Sequence, residues 1–154
     1  MEVFDTPGAL KQFRRTAWKF QRTFKTPLKN LQPFVATIIS GAQSFRTACI
    51  TVEQAVFEPK HWIEQMNRYS LPPSYQKGDS VMAAGQREIE ELLLAALSDW
   101  LDFLFVPAPR PFVIYADHDE YTTFYANTRS NLNRVAEPLL AQGFEEVSGY
   151  QRRL

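Results

Sequence analysis

The chain has 154 residues, of which 45% are hydrophobic and 22% charged, and its formal net charge is zero. That length is enough for one domain with a sizeable core, and the composition fits neither a disordered nor a fibrous chain. One cysteine rules out an internal disulfide framework. No uninterrupted apolar run is long enough to span a bilayer or serve as a signal peptide, so a cytoplasmic location is expected.

The charge is unevenly spread. Residues 1–50 carry eight Lys or Arg against two acids, residues 51–126 five against twelve, and residues 127–154 four against three. A basic front and an acidic middle can attract each other within one fold or between two copies, or simply line solvated faces.

Thr6-Pro7 offers a helix start. Leu10, Phe13, Ala17, Phe20 and Phe24 then recur in steps of three and four, which predicts one amphipathic helix ending at Thr26-Pro27. Lys11, Arg14, Arg15, Lys19 and Arg22 make it basic, a pattern compatible with a membrane surface, nucleic acid or an acidic partner. Leu31, Val35, Ile38, Ala42, Phe45, Cys49, Val52 and Val56 continue the same stepping and predict a long seam helix over 31–56. Gly41 and the β-branched Thr47, Ile50, Thr51 and Val52 weaken its propensity. Cys49 lies on the seam as a small buried hydrophobe.

A short helix is expected after Glu58-Pro59, with Trp62, Met66 and Tyr69 on its apolar side. A loop follows from Leu71 to Gly78. Asp79-Ser80 then introduces the stretch that organises the expected fold, Val81 to Val106. From Leu92 to Val106 only Ser98, Asp99 and Asp102 are polar, a narrow stripe on a helix otherwise apolar all round. Such a helix belongs at the centre of a core.

Pro107, Pro109 and Pro111 end it, and the pattern turns to β. Phe112 to Asp117 and Glu120 to Ala126 flank an acidic turn. With His118-Asp119 at its tip, Tyr115 would face Thr122 and Val113 would face Phe124. Asn127-Thr128 caps a last helix with Leu132, Val135, Ala136, Leu139 and Leu140 on one stripe. Pro138 is expected to kink or shorten it, and Gly143 to end it. Phe144 to Leu154 is compatible with a final strand.

The expected fold is therefore α+β in a single domain of 1–154. Its helical part, 1–106, packs around the 81–106 helix, and a small antiparallel β-β-α-β sheet follows over 112–154.

Chemistry-bearing side chains are densest on the hairpin and its exit: Tyr115, Asp117, His118, Asp119, Glu120, Tyr121, Tyr125 and Arg129. Three carboxylates around a histidine suit a divalent cation or acid–base catalysis. Adjacent strand residues point to opposite faces, however, so they converge only if the turn folds back. No Gly-x-Ser-x-Gly, His-Glu-x-x-His or Gly-x-Gly-x-x-Gly pattern occurs, and no cofactor or metal site is expected. The leading expectation is a non-enzymatic protein-binding module that masks or regulates a partner such as a toxin or effector, with the Tyr-rich hairpin as its surface. The alternatives are a metal-dependent hydrolase or nuclease using 117–120, and nucleic-acid binding through the basic first helix. Surplus apolar surface on the 31–56 helix also suggests a homodimer.

Overall fold

In the computed structural model, which describes residues 1–40 and 44–152, the chain is α+β but not in the expected arrangement. Ala42 of the expected seam and Arg153-Leu154 of the expected last strand lie outside the described residues. Among the described residues there are seven strands and five helices. The strands are β1 (Glu2–Val3), β2 (Phe20–Lys25), β3 (Thr47–Gln54), β4 (Ser80–Ala84), β5 (Asp102–Ala108), β6 (Val113–Ala116) and β7 (Tyr121–Ala126). The helices are α1 (Ala9–Arg15), α2 (Leu31–Ser40), α3 (Lys60–Arg68), α4 (Gln86–Ser98) and α5 (Arg129–Ala141). The strands form one antiparallel sheet in the order β1-β4-β3-β5-β6-β7-β2.

The expected central helix 81–106 is thus three elements. Val81 to Ala84 pair with β3, and Val81 and Met82 with β1 as well. Gly85 turns the chain at φ 83°, ψ 155°, a region open essentially to glycine, and α4 follows. The helix stops at Ser98, and the remaining apolar residues become β5 in the middle of the sheet. Phe103 and Phe105 face the large core, while Leu104 faces a second cluster on the other side. A strand covered on both faces reads as an unbroken apolar run, which periodicity cannot distinguish from a buried helix.

The same ambiguity undoes the two expected N-terminal helices. Residues four apart share a face in a strand as well as in a helix, so Phe20 and Phe24 satisfy both patterns. They lie on β2, and only Leu10 and Phe13 belong to α1. The seam divides likewise into α2 and β3. The β-branched run at 47–52 is a strand signal that outweighs the stepping. Phe34, Val35 and Ile38 are buried in the chain's own core, so among the described residues the long uncovered helix on which the homodimer expectation rested is not found.

The small β-β-α-β sheet is corrected as well. Its first two strands and its helix exist, but as part of the seven-stranded fold, and after α5 only an isolated bridge, Phe24 to Glu146, remains of the final strand. The hairpin register is shifted by one residue, with Tyr115 opposite Thr123 and Ile114 opposite Phe124. The turn is correspondingly longer. Glu120 takes the left-handed position at φ 71°, and the Asp117 carboxylate accepts the N–H groups of Asp119 and Tyr121. The ends of α5 match expectation: the Thr128 hydroxyl accepts the Asn131 N–H, and Gly143 follows the last turn at φ 87°. The helix continues through Pro138 to Ala141.

Side chains from α2, α3, α4 and α5 join the large cluster on one face of the sheet. On the other face α1 lays Leu10 and Phe13 on Leu104, Val113, Tyr115 and Tyr125. None of the described helices is long and apolar enough to cross a membrane.

The turn between α4 and β5 ties distant elements together. Helix α3 has no side-chain cap of its own, because Pro59 holds that position. The buried Asp99 carboxylate supplies one, accepting the N–H groups of Trp62 at 2.7 Å and His61 at 3.2 Å. Asp99→Ala is expected to cost about 2 kcal/mol, the upper range for a lost cap, and Asp99→Asn less because one acceptor oxygen remains. Urea denaturation of the three proteins measures both differences.

Candidate functional site

The eight residues singled out from the sequence do not form one surface. Four of them lie on the α1 side of the sheet. Tyr115 is stacked on Phe13 at 5.7 Å, and its hydroxyl donates to Glu53 at 2.8 Å. Tyr125 is fully buried, edge-on to Phe13 at 5.1 Å. Asp117 pairs with Arg152, whose guanidinium also lies 4.6 Å from the centre of the Tyr115 ring. Tyr121 contacts Tyr150, with ring centres 4.7 Å apart. Burial drives the hydroxyl pKa of Tyr115 and of Tyr125 well above the usual tyrosine range, so both stay protonated. Tyr115 and Tyr125 pack α1 onto the sheet and are too buried to serve as exposed anchors, whereas Tyr121 is half-buried against Tyr150. Arg129 sits elsewhere, 5.2 Å over the Phe20 ring at the start of α5.

The other three, His118, Asp119 and Glu120, form the hairpin tip. His118 is held by Asp102, the first residue of β5, which accepts its backbone N–H at 2.7 Å and lies 2.8 Å from ring Nδ1. Its Nε2 faces Asp119 at 3.6 Å, while the Asp119 side chain is largely exposed. Asp117 is turned away toward Arg152. Asp102 and Asp119 thus flank the two ring nitrogens while Asp117 stays apart, and among the described residues no group of three or more His, Cys, Asp or Glu can hold a metal ion.

The tip instead forms one wall of an open groove of about 390 Å³, completed by Leu28, Phe57 and Trp100. These come from the exits of β2, β3 and α4, which meet at one end of the sheet. The Thr26 N–H donates to the Glu120 carbonyl at 2.7 Å, and the hydroxyls of Thr26 and Thr122 are 2.6 Å apart, so the Leu28 loop is pinned to the turn. Leu28 and Phe57 are 73% and 56% exposed, the highest values among the exposed large apolar side chains of the described residues.

Trp100 is held in a costly conformation. It occupies the left-handed position that closes α4, at φ 55°, with its N–H on the Leu97 carbonyl and that of Leu101 on Ala96. Glycine takes this place at no cost, whereas an L side chain loses roughly 1–2 kcal/mol there. Glu120, also on the groove, is another of the four non-glycine residues with positive φ among those described.

Chemically the groove offers apolar anchors, an acidic rim and one oriented imidazole. No Ser, Thr, Cys or Lys is among its lining residues, so His118 has no nucleophile to activate there. Sequence reasoning named the tip but missed Leu28, Phe57 and Trp100. A signal existed for two of them, since Leu28 follows Pro27 and Phe57 lies just before Pro59, large apolar side chains in proline-marked loops. Trp100 gave none while it was counted inside a helix. The basic residues are also dispersed: Arg14 pairs with Glu53 from α1, and Arg22 pairs with Glu146 from β2.

The described residues define an α+β protein with a seven-stranded antiparallel sheet. No protein-family model, curated protein or solved structure matches it.

The hydrogen bond to Asp102 raises the His118 pKa above its usual value, with the Asp102 and Asp119 charges adding to it and burial opposing. A histidine with a raised folded pKa stabilises the fold fully below its unfolded value of about 6.5, and that contribution is lost as pH rises through the folded value. Melting temperature should therefore fall from about pH 6 to pH 8.5 more in the wild type than in His118→Gln. Parallel melting curves across that range test this.

Proposed function

We propose that the protein is a non-enzymatic protein-binding module that masks or regulates a partner through the groove formed by Leu28, Phe57, Trp100 and the 118–120 tip. The observation carrying this reading is Trp100. A bulky residue kept where glycine would be free of strain, beside two exposed apolar side chains, marks a place where contact outweighs stability. An indole among smaller apolar groups is the kind of anchor that dominates protein interfaces. Asp119 and Glu120 on the rim favour a partner segment with an apolar side chain flanked by Lys or Arg.

The proposal differs from the sequence-based expectation in its anchors. Tyr115 and Tyr125 give way to Leu28, Phe57 and Trp100. The hairpin contributes its acidic tip rather than its tyrosines.

A photo-crosslinking residue placed at the exposed Asp119 position, in cells that natively express the chain, should capture a defined partner. Tyr75 is exposed and absent from the groove lining, so it serves as the control position for substitution. Crosslink yield should fall at least about tenfold in Leu28→Asp/Phe57→Asp, equivalent to about 1.4 kcal/mol, and stay unchanged in Tyr75→Ser. Equal yields from the double variant, the control variant and the parent protein would remove the groove as the interface.

Trp100→Gly gives a second readout. Truncating a tryptophan that serves packing costs about 3–5 kcal/mol. Trp100 is only half-buried, so with the left-handed strain also relieved the loss should stay below about 2 kcal/mol, measured by urea denaturation, while crosslinking still falls.

A further inference from the structure

The outer face of the sheet is only partly covered. Helix α1 packs over β5, β6 and β7, and beside it lies a hollow of about 480 Å³, within the roughly 300–1,000 Å³ typical of small-molecule sites. Its lining reaches the end of the sheet opposite the groove, where β5 finishes at Ala108 and β6 begins at Val113.

Its walls are mostly apolar, and Phe4, Phe13, Trp18, Met82 and Leu104 are the largest apolar side chains on them. To one side the hydroxyls of Thr6, Thr51 and Ser80 bond to one another at 2.6 to 3.3 Å, so they present no unmet demand to a ligand. Arg110 is the one charged residue lining the hollow. It is exposed and has no acidic partner among the described residues. A cation would meet only repulsion there, and a neutral apolar molecule would leave the guanidinium unused. A carboxylate or sulfonate on an apolar body would use both features, since arginine matches such anions with paired N–H donors.

We propose that this hollow binds a small amphipathic anion, an aromatic or aliphatic body in the apolar space with its acidic group on Arg110. The site is independent of the partner groove.

The test uses the fluorescent anion 8-anilinonaphthalene-1-sulfonate and its neutral analogue 1-anilinonaphthalene. Cys49 lines the hollow and is the chain's only cysteine, so its alkylation by iodoacetamide reports on occupancy of this place and no other. Saturating sulfonate should slow Cys49 alkylation at least about fivefold, because the thiol must be reached to react. Arg110→Gln should weaken the sulfonate about tenfold and leave the neutral analogue unchanged. Val106→Trp should fill the space and block both probes. If that variant misfolds by circular dichroism, the surface substitution Arg110→Gln still decides. Unprotected Cys49 at saturation, or equal sulfonate affinity in Arg110→Gln and wild type, would overturn the proposal.

Discussion

Strand β5 is buried on both faces from Asp102 to Phe105 while joining the two halves of the sheet. It pairs with β3 on one side and β6 on the other, so β1, β4 and β3 connect to β6, β7 and β2 only through it. Phe103 and Phe105 enter the core under the four helices, and Leu104 enters the cluster under α1. A central strand can be apolar on every residue because its backbone groups are satisfied by its neighbours and its side chains by both layers. That condition explains why α1 is needed at all. Without Leu10 and Phe13, Leu104, Val113 and Tyr115 would face water.

The two aspartates before and at the start of β5 extend its influence. Asp99 caps α3, and Asp102 fixes the backbone and ring of His118. Each accepts a backbone N–H and approaches the ring Nδ1 of a histidine, so one short turn sets both a helix start and the hairpin tip. The repeated geometry gives the His118–Asp102 pair an architectural reading beside any chemical one. It also places Trp100, between the two, at the mouth of the groove.

A second polar system secures the outer face. Glu53 receives the Tyr115 hydroxyl and pairs with Arg14, while Arg152 bridges Asp117 and the Tyr115 ring. Burial lowers the Arg152 pKa, opposed by the nearby Tyr115, Asp102 and Glu53, yet an arginine remains charged under ordinary conditions. Helix α1 and the C-terminal segment are thus held over the sheet partly by charge. The basic front and acidic middle of the chain meet here in Arg14 and Glu53, inside one molecule.

Short-range chemistry was legible directly in the residues. The short helix after Pro59, the helix after Thr128 with its end at Gly143, and the strands around 117–120 follow from caps, glycine and β-branched residues acting over a few positions. The long apolar stretches were settled instead by partners distant in the chain. Phe20 with Phe24, and the run from Leu92 to Val106, satisfy helix and strand geometry alike, and the choice came from remote hydrogen-bonded neighbours such as Ile50 for Phe105. The groove was illegible for the same reason. Leu28, Phe57 and Trp100 are far apart in sequence, and they meet only because antiparallel pairing brings the ends of β2 and β3 and the start of β5 to one end of the sheet.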